Sequence, residues 1–465
     1  MSSSEHQHSG ASPNRSTQGG RRATESALRT DCFEIPIDKN PAKLKSDRPR
    51  SAMPQHSNHI QQLRHAQRSE RTNQSMEHPS QHPSQHRTQA PLRSEHPTQP
   101  PGRSAVLDAV RLLAILLVIL VHASELIYTV QTNVLELPRL EQLSFTILFT
   151  LGRIGVILFI FLTAYLLLPR QYDARRINRH YGHTIPKLYL YTVMGITLLT
   201  GYDYYKGIPF DLTLYLKRLL FIAPFPGVQV WYMPFVIALY LFIPILANGL
   251  RTLPNKAIAL VTSIGLIYFF IVPDFTRLRL MQGSNTIESQ VLFPFFGFFG
   301  VYVLTGYLIR RGTLRRIPTL TILSVTLLSF AGLVYFQLYS YHTEFFYLAW
   351  YDSTLLWLTT TGLFEIMTRP TRIHRQSKLL TYAAKATFGM YWIHSMTQEI
   401  LLPYIPSSSR TIQTLLLTLA NFAITLTIIS ALNAAIALIR PKSKTTNPIQ
   451  NQTQTRTRSQ KRGRR

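Results

Sequence analysis

The sequence has one cysteine, Cys32, in 465 residues, so an intrachain disulfide framework and a cysteine-built metal site are both excluded. Acidic residues are scarce as well: 22 Asp and Glu stand against 49 Lys and Arg, for a formal net charge of +27. That excess divides into +6 before residue 105, +12 over residues 105–439 and +9 beyond them, so no single basic face dominates. Apolar periodicity is missing from the first hundred residues, where stretches such as "HPSQHPSQHRTQAPLRSEHPTQPPGR" offer nothing from which to build a core. Residues 1–104 are therefore expected to be a disordered polar leader. Its nine histidines fall between Pro, Gln and Ser without ligand spacing, and no metal is expected. A signal peptide is not expected either, because the first apolar run begins about a hundred residues in and is too long for one. Residues 440–465 carry nine Lys or Arg and no acid, the pattern of a solvated basic tail.

Residues 105–439 are dominated by long apolar runs. A bilayer core about 30 Å thick takes about 20 apolar residues per crossing helix. On that measure, candidate spans lie at 105–128, 143–168, 186–203, 230–249, 256–273, 291–309, 319–339, 347–368, 379–401 and 412–439. Residues 209–227 read as an amphipathic interfacial helix with a proline-broken end. The expected fold class is an all-α polytopic membrane protein with about ten transmembrane helices.

Loop charge tests the count, since Lys and Arg favour the inner side. With the N-terminus inside, the inner loops hold fourteen basic residues, among them Arg170, Arg175, Arg176, Arg179, Arg310 and Arg311, and the outer loops hold seven. Both basic tails then lie at the cytoplasmic face, where they can meet anionic lipid. Spans between basic ends argue against nucleic acid, which is not an expected partner.

The first span, "RLLAILLVILVHASE", places a cation and an imidazole in the same oily segment. His122 lies eleven positions after Arg111, just over three helical turns, so both project from one face about 16 Å apart. Asp108 lies one turn before Arg111, and Glu125 one turn after His122. Such a stripe is costly in lipid and belongs in a bundle interior or a watery cavity. Blander readings have Arg111 snorkelling to the headgroups and His122 and Glu125 lying in the outer interface. Chemically, an imidazole held by a carboxylate can take a proton from a hydroxyl and return it to a leaving group. A guanidinium nearer the cytoplasm suits a phosphate. The pair describes acyl transfer from a phosphorylated carrier to an alcohol.

An Arg, ten residues and a His in the first membrane helix resemble the signature of the acyltransferase family 3 membrane proteins. Further stretches are similar to that family in the same order: "GRIGVILFIFLTAYLLL" (152–168), "ARRINRHYGHTIPKLY" (174–189), "VWYMPFVIALYLFIPIL" (230–246), "GVYVLTGYLIRR" (300–311) and "ATFGMYWIHSM" (386–396). The resemblance spans nearly all of residues 105–439. It departs at Gln229, where the family often has His, at Ile157, where it has Pro, and at Thr163-Ala164, where it has Ser-Gly.

The resemblance implies a bacterial inner-membrane O-acetyltransferase that moves acetyl from cytoplasmic acetyl-CoA to a sugar hydroxyl of a surface or lipid-linked glycan. It implies His122 as general base, with Glu125 beside it, and Arg111 as a contact to the coenzyme. Arg153 and the Arg175, Arg176 and Arg179 cluster would aid phosphate binding, although the cluster also reads as plain positive-inside topology. His394, five residues from Glu399 and not on its face, is expected to be a hydrogen-bonded structural residue. Trp231 and Tyr232 are expected as interfacial anchors, with sugar stacking as an alternative. No extracytoplasmic hydrolase-like domain is expected after the last span, so a transferase of this kind is expected to act directly on the glycan or through a separate partner. The rival class is a transporter or flippase for a glycan or lipid intermediate, but no internal repeat supports it. A sensor or scaffold would leave the stripe of the first helix without work.

Overall fold

Apolar runs become helices throughout the part of the chain that the computed structural model describes, residues 104–130, 133–225, 227–282, 297–343, 345–369 and 377–439. The expected leader, apart from Ser104, and the expected basic tail lie outside the described residues. Among the described residues every regular element is helical. They run α1 Ala105–Ser124, α2 Arg139–Leu167, α3 Ala174–Arg179, α4 Ile185–Tyr205, α5 Leu212–Leu219, α6 Tyr232–Thr252, α7 Asn255–Leu266, α8 Val272–Met281, α9 Gly297–Arg310, α10 Thr319–Ser340, α11 Thr354–Thr368, α12 Lys378–Leu401 and α13 Arg410–Ile439.

Among the described residues, six helical stretches are long and apolar enough to cross a membrane: Ala105–Tyr128, Arg139–Leu167, Gln229–Thr252, Asn255–Met281, Thr319–Ser340 and Arg410–Leu438. The other four expected spans also hold helices. Helix α4 carries five tyrosines together with Lys187 and Asp203, and α12 carries Lys385, His394, Gln398 and Glu399, which lowers their hydropathy. Helix α11 has 15 residues, against the about 20 that a full crossing takes, and α9 has 14 among the described residues. The expected interfacial helix is the eight-residue α5, capped by the Asp211 side chain on the Leu214 N–H.

Three π-helical turns interrupt the bundle, and two have a visible cause. His180–Thr184 precedes Pro186, and Ile267–Ile271 precedes Pro273. Proline lacks the N–H that would complete the ladder and its ring displaces the carbonyl four residues back, so the helix widens there. The third, Glu125–Val130, continues α1 just beyond His122.

Helices α1 and α2 form the core. The central window of α2 is 78% buried and that of α13 only 22%, so α2 is wrapped by protein while α13 lies at the edge. Glycine permits the close approach: a Cβ at Gly152 would meet the Val121 backbone at 2.6 Å, and one at Gly155 the Ala114 carbonyl oxygen at 2.6 Å. Two small residues one turn apart let two backbones touch, as membrane helix pairs often do. Around this pair, α9, α10 and α11 pack on α2, while α12 and α13 pack on α1. Helix α6 packs on α4. The outer faces of α6, α10 and α13 expose Ile245, Leu327, Leu328 and Leu419, which is the composition of a lipid-facing surface.

Candidate active site

Helix α1 brings its stripe together as its spacing requires. The His122 Nδ1–H donates to Glu125 Oε2 at 2.8 Å. A carboxylate can only accept, so this bond sets the tautomer and leaves Nε2 with a lone pair. That nitrogen has no hydrogen-bond partner among the described residues. The second carboxylate oxygen, Glu125 Oε1, accepts from Arg153 Nη2 at 2.9 Å. One carboxylate therefore joins an imidazole on its own helix to a guanidinium on α2.

Arg153 is enclosed by aromatic rings. Its guanidinium carbon lies 4.5 Å from the Phe149 centroid, 4.6 Å from that of Trp350 and 5.4 Å from that of Tyr351, close enough for cation–π attraction. Its Nη1 also points at the Tyr351 hydroxyl, 3.5 Å away. Arg153, expected among the phosphate contacts, pairs with Glu125 at the histidine end of the helix pair. Trp350 and Tyr351 come from a non-helical stretch, Phe345–Ser353, inside the span expected at 347–368. The helix there starts late, at Thr354. The stretch is pinned by the Tyr302 hydroxyl on the Tyr351 carbonyl at 2.8 Å and the Ala349 N–H on Gln337 Oε1 at 2.7 Å. Arg277 holds its far end, bonding Asp352 at 2.7 Å and Asp274 at 3.1 Å.

Glu125 and His122 are both largely enclosed, with 22% and 14% of their side chains accessible, as a charged stripe in a bundle interior requires.

At the other end of the stripe, Arg111 Nη1 donates to Asp108 Oδ1 at 2.7 Å. Asp108 is fully buried and accepts a second bond from the Thr381 hydroxyl of α12 at 3.1 Å. Arg111 is thus moored by a buried anion while 29% of its side chain stays accessible. Arg175, Arg176 and Arg179 project from α3 with exposed side chains. Arg176 is partly occupied, donating to the Gln171 carbonyl at 2.8 Å. Among the described residues no group of three His, Cys, Asp or Glu is placed to hold a metal ion.

A family model for an acyltransferase domain, Acyl_transf_3, matches residues 105–434. The chain belongs to acyltransferase family 3. The match runs from the first residue of α1 into the last turns of α13, so it takes in every helix that builds the site. No curated protein and no solved structure matches this chain.

In this membrane acyltransferase, the residue that sequence reasoning undervalued is His394. It has the hydrogen bonds of a structural residue: its Nδ1–H donates to the Tyr391 carbonyl at 2.8 Å, and its own carbonyl accepts from Asn421 Nδ2 at 2.7 Å. But its ring centroid lies 5.2 Å from that of His122. Spacing within α12 invited comparison with Glu399, which instead pairs with Lys206 at 3.0 Å. The neighbour that matters is on another helix, and Gln398 fixes that contact by donating to the Ile119 carbonyl at 2.7 Å. Trp231 and Tyr232, expected as interfacial anchors, sit inside the aromatic lining. Trp231 lies 5.6 Å from Tyr351 and Tyr232 6.1 Å from Tyr391, between ring centroids.

Proposed function

We propose that this acyltransferase moves an acetyl group from cytoplasmic acetyl-CoA to a sugar hydroxyl of a surface or lipid-linked glycan, with His122 as general base. The observation that carries the reading is the His122–Glu125 bond of 2.8 Å, which orients the ring and leaves Nε2 with a lone pair for a proton. In the forward step Nε2 takes the proton from the acceptor hydroxyl as its oxygen attacks the thioester carbonyl. The carbon–sulfur bond then breaks, and the departing thiolate takes that proton back from Nε2, so imidazole ends as it began. The carboxylate of Glu125 stabilises the transient imidazolium and stays ionised. Arg153 acts through Glu125 as a positioning residue. Its aromatic enclosure keeps water from competing for the guanidinium, which strengthens the clamp.

Arg111 belongs to donor binding in this scheme. Mooring by Asp108 fixes its direction, and its open edge can pair with a coenzyme phosphate. The exposed Arg175, Arg176 and Arg179 would gather the same polyanion at the mouth. The scheme takes ten crossings with both ends in the cytoplasm of a bacterial inner membrane, which agrees with the fourteen-to-seven loop asymmetry of the basic residues. Lipid and a glycan acceptor are then its partners, and nucleic acid is not.

The test compares acetylation of surface glycans in a deletion strain complemented with the wild type, His122→Ala or Arg111→Ala. We expect the wild type alone to restore it. Full restoration by His122→Ala at normal expression would remove the general base, and glycans unchanged by the deletion would favour transport of a glycan intermediate.

A further inference from the structure

Helix α12 buries an imidazole where the packing of a membrane helix asks for an apolar side chain. His394 is fully buried, and among the described residues the hydrogen bonds of its ring stay within α12. Nδ1–H donates to the Tyr391 carbonyl at 2.8 Å, and Nε2 lies 3.4 Å from the Ser395 hydroxyl. An apolar residue would fill the position without the cost of desolvating a polar ring. An ionisable side chain at membrane depth is by default a functional one. What His394 meets on another helix is His122, with ring centroids 5.2 Å apart and planes tilted by 39°.

The bonds around His394 fix both its state and its place. A carbonyl only accepts, so Nδ1 carries the proton and Nε2 the lone pair. Full burial denies the ring any exchange of protons with solvent, so His394 is not a second base. Its helix is bonded to α1 at two levels. Thr381 donates to the buried Asp108 at 3.1 Å, and Gln398, one turn beyond His394, donates to the Ile119 carbonyl at 2.7 Å, one turn before His122. Helix α13 adds a third bond, from Asn421 Nδ2 to the His394 carbonyl at 2.7 Å. The His122 ring, in contrast, has one hydrogen bond among the described residues, to Glu125 at 2.8 Å. A single bond at Nδ1 leaves an imidazole able to swing about it, and a second ring packed alongside removes that freedom.

We propose that His394 is a positioning residue for His122: a neutral ring, held rigidly by α12, that fixes the imidazole plane so that Nε2 faces the acceptor hydroxyl. The inference rests on the acyl-transfer reading and adds to it a second support, from another helix, beside the one that Glu125 gives. The two supports do different work. Glu125 sets the tautomer and stabilises the imidazolium, whereas His394 limits rotation and stays uncharged, so it does not oppose the positive charge that forms 5.2 Å away.

The test measures transfer from radiolabelled acetyl-CoA to the glycan fraction of membrane vesicles carrying the full-length protein at matched expression. His394→Asn keeps an amide N–H that can serve the Tyr391 carbonyl and removes the ring. It should lower kcat about thirtyfold, within the about hundredfold that a misplacement of about 1 Å costs, and leave KM for acetyl-CoA within about twofold. His394→Phe restores a ring and should recover kcat to within about threefold of wild type; the Asn variants carry the test by themselves if the Phe variant does not accumulate. Residues that act as a unit are not additive, so in a Glu125→Gln background, where His122 is already loose, His394→Asn should cost less than about threefold. A residue that only holds α12 in place would lower the rate by the same factor in both backgrounds, and that result would overturn the proposal, as would wild-type kcat in His394→Asn. Full transfer by His122→Ala would defeat the general base and its support together, whereas loss of transfer in His122→Ala with wild-type kcat in His394→Asn would defeat the support alone.

Discussion

Replacing Arg153 with methionine keeps the length and the apolar stem of the side chain and removes only the charge that Glu125 Oε1 meets at 2.9 Å. Glu125 retains its 2.8 Å bond to His122, so the dyad survives without the bond from Arg153. A carboxylate freed on one side can rotate, and the imidazole rotates with it. Misplacement of a reacting group by about 1 Å costs about a hundredfold in rate. We therefore expect Arg153→Met to lower kcat about a hundredfold while KM for acetyl-CoA stays within about twofold. Arg153→Lys should fall between, at about tenfold, since an ammonium supplies the charge without the planar fork or the stacking on Phe149 and Trp350. The assay is initial-rate acetyl transfer in membrane vesicles with donor concentration varied, at expression levels matched by immunoblot. A raised KM with unchanged kcat in Arg153→Met would refute the clamp and return Arg153 to the phosphate contacts that its sequence context suggested.

Glu125→Gln should reduce kcat by about 10² to 10⁴, because an amide can hold either His122 tautomer and cannot stabilise the imidazolium; rates within threefold of wild type would remove Glu125 from the mechanism. Gly155→Leu should prevent α1 and α2 from closing, since even a Cβ there would meet Ala114 oxygen at 2.6 Å and Val118 nitrogen at 2.8 Å; a detergent-solubilised protein with unchanged thermal unfolding would contradict the packing. Gly195→Ala places a methyl 2.0 Å from the Trp392 ring and should loosen α4 from α12, read as faster proteolysis of the α3–α4 region. Arg277→Met leaves Asp352 and Asp274 without their shared cation and should cost about 3 kcal/mol, as breaking a largely buried pair does. Denaturation in detergent measures that cost, and a loss below about 1 kcal/mol would mean the Phe345–Ser353 stretch is held by its other bonds.

Periodicity alone located the helices. Runs of about twenty apolar residues have no other stable form in a membrane, and each of the ten expected spans contains a helix, six of them long and apolar enough to cross by themselves. The stripe on α1 was equally legible, because Asp108, Arg111, His122 and Glu125 lie within one element and helical rise and twist fix their relations. Both of its hydrogen-bonded pairs, Asp108 with Arg111 and His122 with Glu125, are i,i+3 contacts of this local kind.

What lay beyond the sequence was every relation between elements. Arg153 reads as one more basic residue until α2 carries it against Glu125 and the Phe345–Ser353 stretch folds two aromatic rings over it. His394 reads as a core histidine until α12 sets its ring 5.2 Å from His122. Tyr232 reads as an interfacial anchor until α6 sets its ring 6.1 Å from that of Tyr391, since hydropathy does not record which face of a helix turns inward. The physical reason is the same in each case. Local spacing fixes which side chains share a helix face, whereas a partner on another helix is chosen by how glycines, buried polar bonds and ring volumes let whole helices approach.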